Sequence, residues 1–200
     1  MSIIFDIIII VFSAILHEIS HGLAARALGD KTAEYAGRLT LNPLVHIDLY
    51  GSIIMPIFLW LASGGQFMFA YAKPVPYNPY NLRNQQWGPA LVGLAGPATN
   101  FVIAIAMALL VRSNFFAAAG IADFFIRVVV INVSLAIFNL VPIPPLDGSK
   151  VLYALMPERY NYLKYQFERY GMWIVLIFVF FFSYLLVYPI DFVVRLLIGA

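Results

Sequence analysis

The residues best equipped for chemistry stand together in "ILHEISHGL", residues 15–23. His17 and His21 are four apart, so on a helix they share one face. Two imidazoles so placed can grip one Zn²⁺ at about 2.0–2.1 Å, with Glu18 beside the metal. A catalytic zinc takes three protein ligands and keeps a position open for water, whose proton an adjacent carboxylate can accept. The third ligand has to come from elsewhere in the chain. Candidates are His46, Glu34, Asp48 and Asp147. Asp147 is favoured over His46, because Pro142, Pro144 and Pro145 in "FNLVPIPPLDGSK" end an apolar helix and enforce extended backbone, while Gly148 permits a tight turn. His46 and Asp48 read better as an outer partner of the site or a helix cap, and His46 stays open as the alternative ligand.

The elements that must position these groups are apolar. Of 200 residues, 62% are hydrophobic and 11% charged, against roughly a quarter charged in soluble domains, which points to a protein embedded in the lipid bilayer. Ionisable side chains inside a membrane helix cost about 2.5–3.5 kcal/mol each on insertion scales and mark function by default. That makes the two histidines and glutamate of the first apolar segment hard to read as structural. A net charge of +2 with no basic run excludes nucleic acid as a partner. The absence of cysteine excludes disulfides and thiolate metal sites. The N-terminal stretch has Asp6 where a signal peptide has a basic region, and it runs into "HEISH" rather than a cleavage site, so a retained helix is expected.

Four segments, roughly 3–27, 89–111, 122–141 and 171–189, are long and apolar enough to cross a hydrocarbon core of about 30 Å. A fifth, starting at Leu49, is interrupted at Ser63-Gly64-Gly65 and ends in the aromatic, proline-closed "QFMFAYAKPVP", which suits an extended strand. The fold expected is an all-α polytopic membrane protein. It comprises one membrane-embedded domain over 1–200, about four full transmembrane helices, a re-entrant or fifth segment at 49–71, and short membrane-associated β-strands. A re-entrant 49–71 puts Arg26, Lys31, Arg38, Lys73, Arg83, Lys150, Arg159, Lys164 and Arg169 on one side, with Arg112, Arg127 and Arg195 towards the other. Full spanning would split the cations evenly, so the positive-inside rule favours re-entry. It also places "HEISH" and "PPLDG" on the same, cytoplasmic side of a cell membrane, with the N-terminus external. The stretch 151–171, mixing tyrosine with charge, is expected to lie at the headgroups.

"HEISHG", "GPATN" and "NLVPIPPLDG", in this order, resemble the site-2 protease family of intramembrane zinc metalloproteases. "LNPLVHIDLYGS" (41–52) and "AKPVPYNPYNLR" (72–83) resemble its compact bacterial and archaeal branch. The resemblance implies one Zn²⁺ held by His17, His21 and Asp147, Glu18 as catalytic acid and base, and Asn139 as a group that positions substrate or the oxyanion. It departs from the family at Leu49, where proline is frequent, and at Ser52, where threonine is common. No PDZ or CBS module is expected. Asn100 of "GPATN" is expected to hydrogen-bond across to the histidine helix, with Gly93, Gly96 and Ala98 allowing close packing.

The implied reaction is cleavage of peptide bonds in or near transmembrane segments of other membrane proteins. A spanning substrate must unwind first. The expected strands at 66–76, through Phe67, Phe69 and Tyr71, and at 33–43 could pair with it by edge addition. Two other classes compete: a metal transporter using the same three ligands, for which inverted repeats are missing, and an inactive scaffold that binds helices, for which the full catalytic set has no use.

Overall fold

The computed structural model describes residues 3–54, 57–58, 61, 73–113 and 121–199. Helix α1 (Ile3–Ala27) carries the histidines, and α4 (Gly88–Arg112), α5 (Ala122–Asn139) and α7 (Asn161–Phe182) are the other long helices. Short helices α2 (Thr32–Tyr35), α3 (Pro43–His46), α6 (Gly148–Leu155) and α8 (Val187–Ile198) lie between and after them. Four stretches are long and apolar enough to cross a membrane: Ile4–Ala27, Gly88–Arg112, Ala122–Asn139 and Glu158–Ile198. Their outward faces are apolar, as at Ile4, Phe12, Val102, Leu109, Trp173 and Phe181. In water such faces would be a liability; in lipid they are the expected solvent contact.

Helix α4 is the hub, packed against α1, α5, α6 and α8. Its contact rows are built of small residues. Ala104 and Ala108 meet Val129 and Val133 of α5 and Val194 of α8 in a buried cluster, so close approach and dispersion hold helices together where lipid supplies no hydrophobic drive. Nearer the histidine end, Gly93 and Gly96 leave the backbone bare. A methyl at Gly93 would meet the Asp147 carbonyl and Lys150 Cδ, and one at Gly96 would lie 2.5 Å from His17 Nε2. Ala98 faces outward instead and takes no part.

The expected β-strands are not found among the described residues. Within 33–43 the chain forms the helical turn α2 and then bends, closing with α3. Its polar backbone is satisfied by local turns, Gly37 N–H to the Glu34 carbonyl and Arg38 N–H to that of Ala33, rather than by a ladder. The π-helical turn Leu49–Ile54 opens the ambiguous segment. Residues 62–72, including Ser63-Gly64-Gly65, Phe67, Phe69 and Tyr71, lie outside the described residues. Residues 151–171 do not make one surface helix. They divide into the end of α6, a short 3₁₀ turn at Glu158–Tyr160 and the first part of α7, which runs straight into the last span.

Charged side chains are tied in at both ends of the bundle. Arg127 donates to both carboxylate oxygens of Asp6 at 3.0 Å, and Arg112 donates to the Leu196 carbonyl, both at the end remote from the histidines. At the other end, fully buried Asp30 ties down the loop before α4. Its oxygens accept from Thr32 N–H and hydroxyl, the Asn81 amide and Asn78 N–H. Burial pushes this carboxyl up, but the Thr32, Asn81 and Asn78 hydrogen bonds outweigh it and hold Asp30 below its ordinary range.

Candidate metal centre

Helix α1 presents His17 and His21 one turn apart on its α4 face, rings 4.6 Å between centroids and nearly perpendicular. Asp147 arrives from the other side. Beyond α5, Val141 N–H bonds to Phe138 O, and Leu146 N–H to Ile143 O, winding the proline segment into successive tight turns. Gly148 packs so hard against the Leu140 and Val141 carbonyls that no side chain fits there. Gly171 of α7 does the same for the Pro144 carbonyl, where a Cβ would come within 2.6 Å. Asp147, the residue just before α6, is thereby held at the base of α4.

Its Oδ2 lies 3.0 Å from His17 Nε2 and 3.2 Å from His21 Nε2. The three ligand atoms fall within 4.8 Å of one another, and all three residues are buried. The outward nitrogens are already committed: His17 Nδ1 donates to Asn100 Oδ1 at 2.6 Å and His21 Nδ1 to the Val92 carbonyl at 2.7 Å. Each Nε2 therefore turns a lone pair inward, towards a carboxylate oxygen. Three electron-rich atoms aimed at one point in an apolar bundle suit a divalent cation, so the residues present fit zinc. The bare Gly96 backbone beside both rings gives them the room. Lys150 Nζ meets the other oxygen of Asp147 at 2.7 Å.

A cavity of about 370 Å³ opens on this triangle, lined among others by Glu18, Val75, Leu135, Asn139 and Met172. Glu18 Oε2 accepts from Val75 N–H at 2.9 Å, so the extended strap 73–76 lies against the glutamate. Asn139 lines the same cavity, with its Nδ2 donating back to the Leu135 carbonyl at 2.9 Å. A larger cavity of about 910 Å³, bounded by Glu158, Lys164 and Glu168, shares Tyr77, Pro145 and Lys150 with the first.

The other candidates for third ligand lie elsewhere. His46 Nε2 donates to the Thr40 carbonyl at 2.8 Å, and Glu34 pairs with Arg26 at 3.4 Å. Asp48 Oδ1 caps the π-turn, accepting from Tyr50 and Gly51 N–H. Asn100 reaches the histidine helix as its place in "GPATN" suggests. Three residues escaped the sequence reading: Lys150, Asp30 and Asn132, which is fully buried beside Asn100. A lone asparagine in "FFIRVVVINVSLAIF" was itself a signal, since polar groups at membrane depth carry function.

A bundle of apolar helices wrapped around a buried His, His, Asp triangle with an adjacent glutamate defines a membrane-embedded metal-site protein of the hydrolase kind. The chain matches the model of peptidase family M50 over residues 5–116 and 111–182. It belongs to that family, the site-2 protease family, and is a multi-pass membrane protease. Its relatives include the Bacillus subtilis protein YwhC, named a putative zinc metalloprotease, 34% identical over 86% of this chain and 78% of its own length. Rip2 of Mycolicibacterium smegmatis, similarly named, is 34% identical over 70% of this chain and 52% of its own. Zinc metalloprotease MJ0392 of Methanocaldococcus jannaschii is 28% identical over 78% of this chain and 36% of its own. No solved structure matches the chain.

Proposed function

We propose that the chain is a zinc-dependent endopeptidase that hydrolyses peptide bonds in or near the transmembrane segments of other membrane proteins, as one membrane-embedded domain. The observation that carries this is the convergence of His17, His21 and Asp147 on one point beside Glu18. His17, His21 and Asp147 hold one zinc ion. Zinc, when bound, supplies a Lewis acid that polarises the scissile carbonyl and acidifies water.

Glu18, one residue from His17 on the same helix turn, accepts the proton of the attacking water and returns it to the leaving amine. The Val75 N–H holds one oxygen of this carboxylate, and Glu18 lines the cavity. Asn139 has a second amide N–H beyond the one given to Leu135, and it donates this to the developing oxyanion. Phe67, Phe69 and Tyr71, next in sequence to the strap at 73–76, contact the unwound substrate. The larger cavity beyond Lys150, with Glu158, Lys164 and Glu168 in its lining, is the way by which water reaches a site otherwise walled by lipid. The excess of Lys and Arg at the histidine end supports a site facing the cytoplasm and an external N-terminus in a cell membrane.

The test is zinc content measured alongside cleavage of a model membrane-spanning peptide. Glu18→Gln is expected to keep zinc and lose about 10²–10⁴-fold in rate, and Asp147→Ala to lose both. Undiminished cleavage by Glu18→Gln would remove the proposal.

A further inference from the structure

We propose that Asn132 is a positioning residue that fixes which nitrogen of His17 is free for zinc; this rests on the metalloprotease reading of His17. Four buried polar side chains form a line through the bundle: Ser13 and His17 on α1, Asn132 on α5 and Asn100 on α4. Asn132 Nδ2 donates to the Val128 carbonyl at 2.9 Å and to Ser13 Oγ at 3.0 Å. Asn132 Oδ1 accepts from Asn100 Nδ2 at 2.9 Å, and Asn100 Oδ1 accepts from His17 Nδ1 at 2.6 Å.

The direction of this line has one origin. Amides and hydroxyls can donate or accept, so Ser13, Asn100 and His17 alone would permit either polarity. The Val128 carbonyl cannot donate. It forces the NH₂ of Asn132 towards itself and so the oxygen of Asn132 towards Asn100. Asn100 must then offer NH₂ to Asn132 and oxygen to His17. An oxygen at Nδ1 demands a hydrogen there, which leaves the Nε2 lone pair for the metal. Reversing Asn100 would set its oxygen against that of Asn132, both side chains being fully buried. His21 needs no such line, because its Nδ1 meets the Val92 carbonyl directly.

Without Asn132, the amide of Asn100 loses the contact that holds it in one orientation. A turned Asn100 would donate to His17 Nδ1 and move the ring hydrogen to Nε2, where it competes with zinc.

The experiment uses the full chain in lipid with ¹⁵N-labelled histidine; three histidines in the sequence make assignment tractable. In zinc-free wild type at mildly alkaline pH, His17 Nδ1 is expected to carry its hydrogen. In Asn132→Leu a substantial fraction should lose it, and zinc affinity, read by chelator competition, should fall about 10–100-fold. Asn132→Asp, which as the neutral acid can accept from Asn100 and donate to Val128, should restore most of that affinity. Ser13→Ala, which spares the Val128 anchor, should leave the His17 spectrum unchanged.

An unprotonated Nδ1 in wild type would overturn the proposal, and this reading holds even if Asn132→Leu fails to fold. So would an Asn132→Leu protein whose thermal stability falls while Nδ1 and zinc affinity stay as in wild type, which is what a purely structural role gives. Failure of the wild type to cleave a membrane-spanning peptide would instead strike the functional reading and leave the nitrogen spectrum to be judged alone.

Discussion

Lys150 Nζ sits 2.7 Å from Asp147 Oδ1, while both histidines meet Oδ2 of the same carboxylate. The ammonium therefore sets the rotation of the group and leaves one oxygen for the metal. Lys150→Met is expected to weaken zinc retention about 10–100-fold, as loss of an outer partner typically does. Lys150→Arg, still able to donate to Oδ1, should lose less. Chelator competition on purified protein measures both, and equal retention by Lys150→Met and wild type would show the contact to be idle.

Gly96 leaves the backbone of α4 bare beside both histidine rings. A methyl there would stand 2.5 Å from His17 Nε2 and 2.6 Å from His21 Cε1. Gly96→Ala is expected to abolish zinc binding and cleavage while the Ala104, Ala108, Val129 and Val133 cluster, two turns away along α4, keeps the bundle assembled. Metal analysis beside a thermal unfolding curve separates the two effects. Zinc at wild-type stoichiometry would contradict this geometry.

Asp30 offers a pH dependence far from the metal. Its carboxyl is held below its ordinary value in the folded chain, so folding gains from its charge above the unfolded value of about 3.9. That gain falls away as pH drops below this value through the lower folded one. Wild type should lose thermal stability over this acid window, and Asp30→Asn should lose less there while being weaker near neutrality. Parallel melting-temperature profiles for the two proteins would refute the assignment.

Asn139 already spends one amide N–H on Leu135. If the other serves the oxyanion, Asn139→Ala should lower kcat about 10²–10³-fold with zinc content unchanged. A substitution that moves only melting temperature would assign Asn139 to helix-end capping.

The sequence exposed the catalytic half of the site more clearly than its supports. His17 and His21 declare themselves by a spacing that one helix turn dictates, and Asp147 by the prolines and glycine that shape its turn. Asn132 and Asp30 act through partners tens of residues away, Asn100 and Asn78 among them, so no local period announces them; Lys150 stands three residues from Asp147, within reach on one helical turn. The spans were legible because about 20 apolar residues must cross lipid. At 33–43 the expected strand is replaced by turns, because the backbone closes on itself through Gly37 N–H to the Glu34 carbonyl and Arg38 N–H to that of Ala33.

The two carbonyls from which the imidazole hydrogens take their bearings, at Val128 and Val92, belong to the main chain. No exchange of side chain at either residue can delete them. Drift at those positions is therefore harmless to ring polarity unless it displaces α5 or α4 bodily. The vulnerable links are the two amides lying between Val128 and His17, which makes one imidazole intrinsically more fragile to mutation than its neighbour a single turn away.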